Sequence, residues 1–593
     1  MEPASNRLGS FTDCGFLRRT LQLEKSAATG DQEPSSAIGI LASGRQAPRG
    51  QSVRISVIGL GKLGAPLAAV LAAKGFDVIG VDHHPSLVAA LTAGDVPVPE
   101  PGLERVIDAA RSRLTATTNI ADAVARTETT FVIVPTPSKA DGRFSNAQVI
   151  AAVREIGAAL RAKTGYHLVV ITSTVMPGST GGPIRDALEA TAGRPVRQTI
   201  GLCYSPLFVA LGSVIENMLN PDFVLIGESD SRAGDALADI YRAVCGKPPA
   251  IQRMSFVNAE LTKLAVNSYV TMKISFANTL SAVCDRMPEA NAKVVAAAMG
   301  RDSRIGAKYL NPGLGYGGPC FPRDNAAFAN LAREVGACVA LTEATDQINR
   351  AQPARIVNLV RTLLARGTVG ILGLSYKPDT SVIEQSQGIE IAALLAQAAY
   401  RVRVFDPQCL DAAMAVLGKQ VERAQTAEDC TAEADLLVIT TPWRCFLQLP
   451  ERALTRSGGR RLIIVDCWHL LPRTTFAPMV DLIYPGEGIR LPTAGAKTRP
   501  AAQSSGRRRR KPRAPHCWEQ PLLGPPLIQR ERSSRATHCA AVHVYRTLQR
   551  ARERATPDEP NALRQPSAGD HRHSDVQSSR NACARLGERS RAG

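Results

Sequence analysis

No run of about 18 consecutive apolar residues occurs anywhere in this 593-residue chain, so a membrane span is not expected. The N-terminus lacks the charged-then-apolar layout of a signal peptide. Thirteen cysteines are scattered without a Cys-x-x-Cys or any paired spacing. That pattern argues against a disulfide framework and for the reduced thiols of a cytoplasm. Metal-ligand spacings are missing as well. Acidic residues are in deficit, with a net charge of +18, yet the excess is local. Residues 491–593 hold 21 Lys and Arg against 8 Asp and Glu, while residues 51–490 carry only about +4. The basic tail includes Arg507–Arg510 and Lys511 among Pro and Ser, with no sustained apolar period. It reads as disordered, and residues 1–51 read the same way. A nucleic-acid or anionic-surface arm is the functional alternative for the tail, although no aromatic interleaving or RNA-binding motif supports it.

What is present is an ordinary globular composition, 44% apolar, over a length sufficient for three or four domains. The segment GLGYGGPCFPRD (313–324) places Cys320 behind four glycines and just ahead of Phe321-Pro322. Pro322 suits the first turn of a helix, so Cys320 is predicted near a helix N-terminus, where the dipole favours a thiolate. Asp324, four residues on, would then share its face. The segment is read either as a nucleophile's setting or as a buried thiol after a glycine turn.

A second motif bears on that choice. RISVIGLGKLGAPLAAVLAAKGFDVIGVD (54–82) reads as strand, glycine turn, helix and strand. Gly59, Gly61 and Gly64 fit G-x-G-x-x-G, and Asp82 follows at the end of the second strand. A carboxylate there accepts ribose hydroxyls and repels a 2′-phosphate, so NAD is expected over NADP, with the pyrophosphate on the helix N-terminus.

Apolar runs at Phe131–Val134, Leu168–Ile171, Ile200–Tyr204 and Phe223–Ile226 continue a doubly wound parallel sheet to about residue 245. The loops after them, VPTPS (134–138), TSTVMPGST (172–180) and YSPLF (204–208), lie where such sheets bind ligands. A long helix is predicted from Asn258 to Arg286, with Lys263 and Asn267 on one face and able to hold an oxyanion and a water. From 352 to about 490 a second α/β unit follows, with strand runs at 369–376, 400–407, 434–442 and 461–468 and no glycine fingerprint.

In this order, residues 52–490 resemble the UDP-glucose/GDP-mannose dehydrogenase family, NAD-dependent four-electron oxidoreductases of nucleotide sugars. The resemblance rests on GLGKLG, VPTP, TSTVMPG, ELTKLAVNSYVTMKISFAN, RDSRIG, GLGYGGPCFPRD and LGLSYKPDT and covers about three quarters of the chain. It implies an α/β protein with a Rossmann-type NAD domain over 52–250 and a central helical dimerisation domain with the cysteine loop over 251–350. A Rossmann-like nucleotide-sugar domain would follow over 351–490. Cys320 would be the nucleophile, capturing an aldehyde as a thiohemiacetal that is oxidised to a thioester and hydrolysed to the uronate. Lys263 and Asn267 would stabilise the oxyanion, Asp324 would manage water or a proton, and Thr174 would lie near the reacting carbon. Gly59, Gly61, Leu63, Gly64, Asp82, Thr136, Pro137 and Thr174 would contact NAD. Arg304, Tyr309, Gly313 and Lys377 would join Lys263 and Asn267 on the sugar nucleotide. Arg304 would reach the neighbouring subunit's site, which implies a homodimer.

Three segments depart from the family pattern. Leu207 and Leu211 stand where typical members carry carboxylates near the thioester, a loss worth about 10²–10⁴-fold in hydrolysis. Glu384 replaces an arginine that contacts the cofactor, and Asp466-Cys467-Trp468 lacks a substrate-side arginine. These departures leave open a divergent sugar specificity, or a protein that binds its ligands and turns over weakly.

Overall fold

The computed structural model describes residues 53–456 and 460–488. The N-terminal extension and the basic tail lie outside the described residues.

The fingerprint segment folds as β1 (Arg54–Ile58), a turn, helix α1 (Gly64–Ala73) and β2 (Asp77–Val81). The sheet continues with β3 (Leu114–Thr117), β4 (Thr129–Val132), β5 (His167–Ile171), β6 (Ile200–Tyr204), β7 (Val224–Glu228) and β8 (Ile251–Met254). Its order is β3-β2-β1-β4-β5-β6-β7-β8, and all pairings are parallel except β6 with β7. Strands buried on both faces read as continuous apolar runs, which is why β1, β2, β5 and β6 stand out in the sequence. β3 (LTAT) and β8 (IQRM) escape that test, because they are short and partly exposed.

β4 begins and ends two residues earlier than the apolar run at 131–134 predicts. Thr129 and Thr130 pair with Ile55 and Ser56 of β1, and the polar side chains are satisfied inside the sheet. Ser56 Oγ, Thr127 Oγ1 and Thr130 Oγ1 are linked at 2.7–3.1 Å, and Thr130 Oγ1 meets His167 Nε2 at 2.8 Å. Lys163 closes the chain on His167 Nδ1 at 3.2 Å.

The second sheet comprises β9 (Thr368–Leu372), β10 (Arg401–Phe405), β11 (Glu422–Arg423), β12 (Leu436–Ile439), β13 (Ile463–Asp466) and β14 (Asp481–Ile483). Its order, β11-β10-β9-β12-β13-β14, repeats that of the first six strands of the first sheet. In each sheet the strand order reverses beside the first strand, and ligands bind in the crevice this opens.

Between the sheets in sequence runs α2 (Phe256–Cys284), followed by α3 (Phe321–Glu334) and α4 (Ala340–Leu363). α2 inverts the usual amphipathic pattern. Its buried positions include Glu260, Lys263, Asn267, Thr271, Ser275, Asn278 and Ser281, while Tyr269, Phe276 and Val283 are exposed. Each unpartnered polar group in such a row would cost about 1–3 kcal/mol, so the row fixes the loops that supply its partners.

Burial first, and then the Lys163 charge, lower the His167 pKa to about 3. The unfolded chain therefore binds this proton more readily. The stability His167 contributes is complete above about pH 6.5 and declines as pH falls towards 3. Urea unfolding of the wild type between pH 7 and 4 should show this decline, and the His167→Gln variant should show a flatter profile.

Candidate active site at the Cys320 loop

Pro322 in the first turn starts α3 and leaves Cys320 as its N-cap residue. The Asp324 amide donates to the Cys320 carbonyl at 2.8 Å, returning the carboxylate to the same end of the helix. Asp324 is buried, and its Oδ2 accepts the Asn267 amide at 2.6 Å. Arg323 donates to Asp324 Oδ1 at 3.3 Å and to the Thr136 carbonyl at 3.4 Å. Thr136 Oγ1 in turn donates to the Thr174 carbonyl at 2.7 Å. Four of the five residues expected at the chemistry, and Thr136 from the cofactor set, are thus joined by one chain of hydrogen bonds. Cys320 sits at its head.

Lys263, the fifth, lies one turn before Asn267 on α2. Its Nζ donates to the Leu207 carbonyl at 2.9 Å and stands 4.5 Å over the Phe208 ring. Burial lowers its pKa, and the charges of Asp324 and Cys320 oppose that shift. Glu260, one turn earlier, accepts the Gly178 and Thr180 amides at 2.6 and 2.7 Å and so holds the loop that carries Thr174.

The expectation of a thiol with a depressed pKa is corrected here. Cys320 is open to solvent, yet it is recessed among protein atoms, and that desolvation raises its pKa. Asp324 raises it further, whereas Lys263 and Arg323 lower it.

The glycine loop is stitched to three helices. Asn278 of α2 accepts from the Gly313 amide at 3.0 Å, and Asn349 of α4 accepts from Tyr316 N at 2.7 Å. Gln387 accepts from Gly315 N at 2.7 Å. Gly318 has φ +81°, and a Cβ there would lie 2.6 Å from the Tyr376 ring. Its amide donates to the Glu384 carbonyl at 2.8 Å. The exposed Glu384 therefore stands beside the cysteine loop, and its charge acts on Tyr376.

At the fingerprint, a Cβ on Gly64 would sit 1.7 Å from the Gly59 carbonyl oxygen, whereas one on Gly61 would face open space. The first position demands glycine for packing, and the second leaves a path for a ligand. Leu63 is the N-cap of α1, with no capping side chain and no acid in the first turn. Asp82 accepts Leu60 N at 2.8 Å and His84 N at 2.9 Å, and its pKa is lowered: burial opposes ionisation, but these amides outweigh it. An uncapped helix N-terminus facing an ionised carboxylate at the end of β2 fits a dinucleotide. Asp82, His83 and His84 also bring potential metal-ligand atoms within 4.8 Å of one another, a local cluster that sequence spacing did not single out.

The remaining expected residues are more dispersed. Pro137 is exposed and its carbonyl accepts Ser145 N. Gly313 packs beneath Trp468, whose ring lies 2.7 Å from a Cβ built there. Tyr309 is half exposed and meets the Phe321 ring edge-on at 6.2 Å. Burial lowers the Lys377 pKa, with Asp379 and Glu100 opposing. Arg304 is exposed and holds Asp302 at 2.6 Å, apart from the Cys320 chain of bonds. Arg323, Tyr376 and Glu260 were not anticipated. All three lie inside quoted motifs, but partners that give them their roles come from segments far away in sequence.

The fold and the site define a dinucleotide-dependent oxidoreductase scaffold with a cysteine at the junction of two α/β units. The NAD-binding, central and UDP-binding domains of the UDP-glucose/GDP-mannose dehydrogenase family match residues 53–245, 257–351 and 370–473, and the chain belongs to that family. UDP-glucose 6-dehydrogenase AglM of Haloferax volcanii is 34% identical over 427 residues, covering 71% of this chain and 98% of that protein. GDP-mannose 6-dehydrogenase of Pseudomonas aeruginosa is 30% identical, covering 72% and 98%. The solved UDP-glucose dehydrogenase of Pyrobaculum islandicum superposes with a TM-score of 0.67 at 35% identity, covering 74% of this chain and 99% of that one. NAD is the cofactor that the matched domain binds.

Two outcomes test this geometry. Gly318→Ala should cost about 1–3 kcal/mol and lower the melting temperature, since alanine meets both a left-handed φ and the Tyr376 ring. Alkylation of Cys320 by iodoacetamide should keep accelerating above pH 9, the ordinary thiol value. Lys263→Met should move that profile further up, as read by peptide mass analysis against pH.

Proposed function

We propose that this protein oxidises the C6 hydroxyl of a nucleotide sugar, UDP-glucose or a related UDP- or GDP-hexose, to the uronate, through covalent intermediates on Cys320. The reading is carried by one observation: an accessible thiol at the N-terminus of α3, beside Lys263 and the Asn267–Asp324 pair. NAD, once bound on α1 and Asp82, supplies the acceptor for each of the two hydrides that leave C6. Lys263 and Asn267 hold the C6 oxygen as it gains charge, a role suited to buried donors in a site of low dielectric. Cys320 sulfur adds to the aldehyde carbon, and the oxygen takes the proton. Loss of the hydroxyl proton to solvent and of the second hydride leaves the thioester; water oxygen then bonds to the carbonyl carbon, the C–S bond breaks, and the uronate leaves with the Cys320 thiol restored. Thr174, held through Thr136, borders the reacting carbon. Lys377, Tyr309 and Gly313 border the nucleotide sugar.

The homodimer belongs to the same proposal. α2 presents Tyr269, Phe276 and Val283 at seven-residue intervals, followed by Met287, all about half exposed. A second copy of this helix would cover that face, and Arg304 on the same central region would then reach the partner's site. A cytoplasmic location fits the nine free cysteines among the described residues and the absence, among those residues, of any helix long and apolar enough to cross a membrane.

A second reading, a protein that binds NAD and sugar nucleotide with weak turnover, is favoured by Leu207 and Leu211. The nucleic-acid arm of the tail falls on residues outside those described.

NADH formation across a panel of sugar nucleotides tests the first reading. Cys320→Ser should lower uronate formation by about 10³-fold or more while leaving NAD binding intact by calorimetry. Binding of both ligands with no NADH from the wild type would favour the second reading. Phe276→Asp should shift the protein to monomer in analytical ultracentrifugation.

A further inference from the structure

The charges that act on the Cys320 thiol are Asp324, Lys263 and Arg323. Each Asp324 oxygen already accepts from a neighbour, Oδ2 from the Asn267 amide at 2.6 Å and Oδ1 from two Arg323 N–H groups at 3.3 Å. The segment across the cleft, 205–211, meets Lys263 through the Leu207 carbonyl and the Phe208 ring, neither of which is a base. The Leu207 residue itself lines an apolar cavity with Leu67, Leu71 and Phe131, and Leu211 packs on the same core. The site thus has donors for a developing oxyanion, but this segment offers no carboxylate to take a proton from attacking water. Water needs such a base in order to become a competent nucleophile, commonly at a gain of about 10²–10⁴-fold. An uncharged amine does not, because its nitrogen is nucleophilic before it loses a proton.

We propose, resting on the dehydrogenase reading above, that the acyl group on Cys320 outlives both oxidations and leaves by acyl transfer to an uncharged primary amine faster than by hydrolysis. The nitrogen lone pair attacks the thioester carbonyl carbon, the C–N bond forms and the C–S bond breaks. Sulfur departs with the bonding pair as thiolate. The ammonium proton passes to that thiolate, giving the uronamide and free Cys320. No electrons are exchanged in this step, since both hydrides have already left. Lys263 and Asn267 stabilise the tetrahedral oxyanion here as they do in the oxidations.

The test uses the full chain and the sugar nucleotide that yields NADH. Rapid mixing should show a burst of two NADH per Cys320, followed by a slow phase. Intact-protein mass analysis during that phase should show the acyl adduct. Methylamine or hydroxylamine should accelerate the slow phase at least about tenfold and yield the corresponding amide or hydroxamate in product mass spectra. Linear NADH formation without burst or adduct overturns this inference and leaves the dehydrogenase reading standing. A burst whose slow phase ignores amine likewise overturns it. No NADH from any sugar nucleotide overturns the dehydrogenase reading and this inference with it.

Discussion

A row of buried polar side chains along α2 holds the site together. Glu260 ties down the 178–180 turn, Lys263 meets the Leu207 carbonyl, Asn267 holds Asp324, and Asn278 meets the cysteine loop. Ser275 Oγ reaches the Thr345 carbonyl on α4 at 2.9 Å, and Arg355 of α4 donates to Ser281 at 2.7 Å. A helix that buried only apolar groups would place these loops loosely, because apolar contact is not directional. Hydrogen bonds are directional, and leaving one unmade in a dry interior is costly. The polar side of α2 therefore sets the register of the first unit's loops, the cysteine loop and α4 around one thiol.

The same constraint sets the electrostatics. Packing Lys263, Asp324 and Cys320 into one recess lowers the lysine pKa and raises that of the thiol, each through desolvation first. Desolvation works against the charged form of each group, and a charged intermediate that forms there meets Lys263 and Asn267. That is the arrangement expected where binding strengthens towards the transition state. The other face of α2 carries the complementary consequence. With its polar side turned inward, the helix leaves Tyr269, Phe276 and Val283 outside.

The two sheets show how one topology is put to different uses. Asp82 and Asp406 occupy matching places, each after the second strand of its unit and each accepting an amide from the turn after the first strand. Asp82 accepts two backbone amides and meets the His84 ring at 3.0 Å, all from residues in or next to its own turns. Asp406 accepts Leu374 N, Ser375 N, Ser375 Oγ, Gln408 N, Cys409 N and the Trp443 indole, and is saturated. In the second unit the acid has become an internal tie.

Much of this was legible in the amino-acid order. Gly59, Gly61, Gly64 and Asp82 announce the dinucleotide turn because that turn is local, and Pro322 announces the start of α3 for the same reason. Continuous apolar runs gave the central strands, whereas β3, β8, β11 and β14 were missed because edge strands bury too little to need such runs. The thermal and electrostatic consequences of folding were not legible. The thiol pKa depends on how deeply Cys320 is recessed, and the roles of Arg323, Glu260 and Tyr376 depend on partners distant in the chain. Sequence by itself determined the elements and the chemical types available to the site. Tertiary structure decided which of those groups meet and which are already spent on one another, because hydrogen bonds and desolvation are properties of neighbours in space.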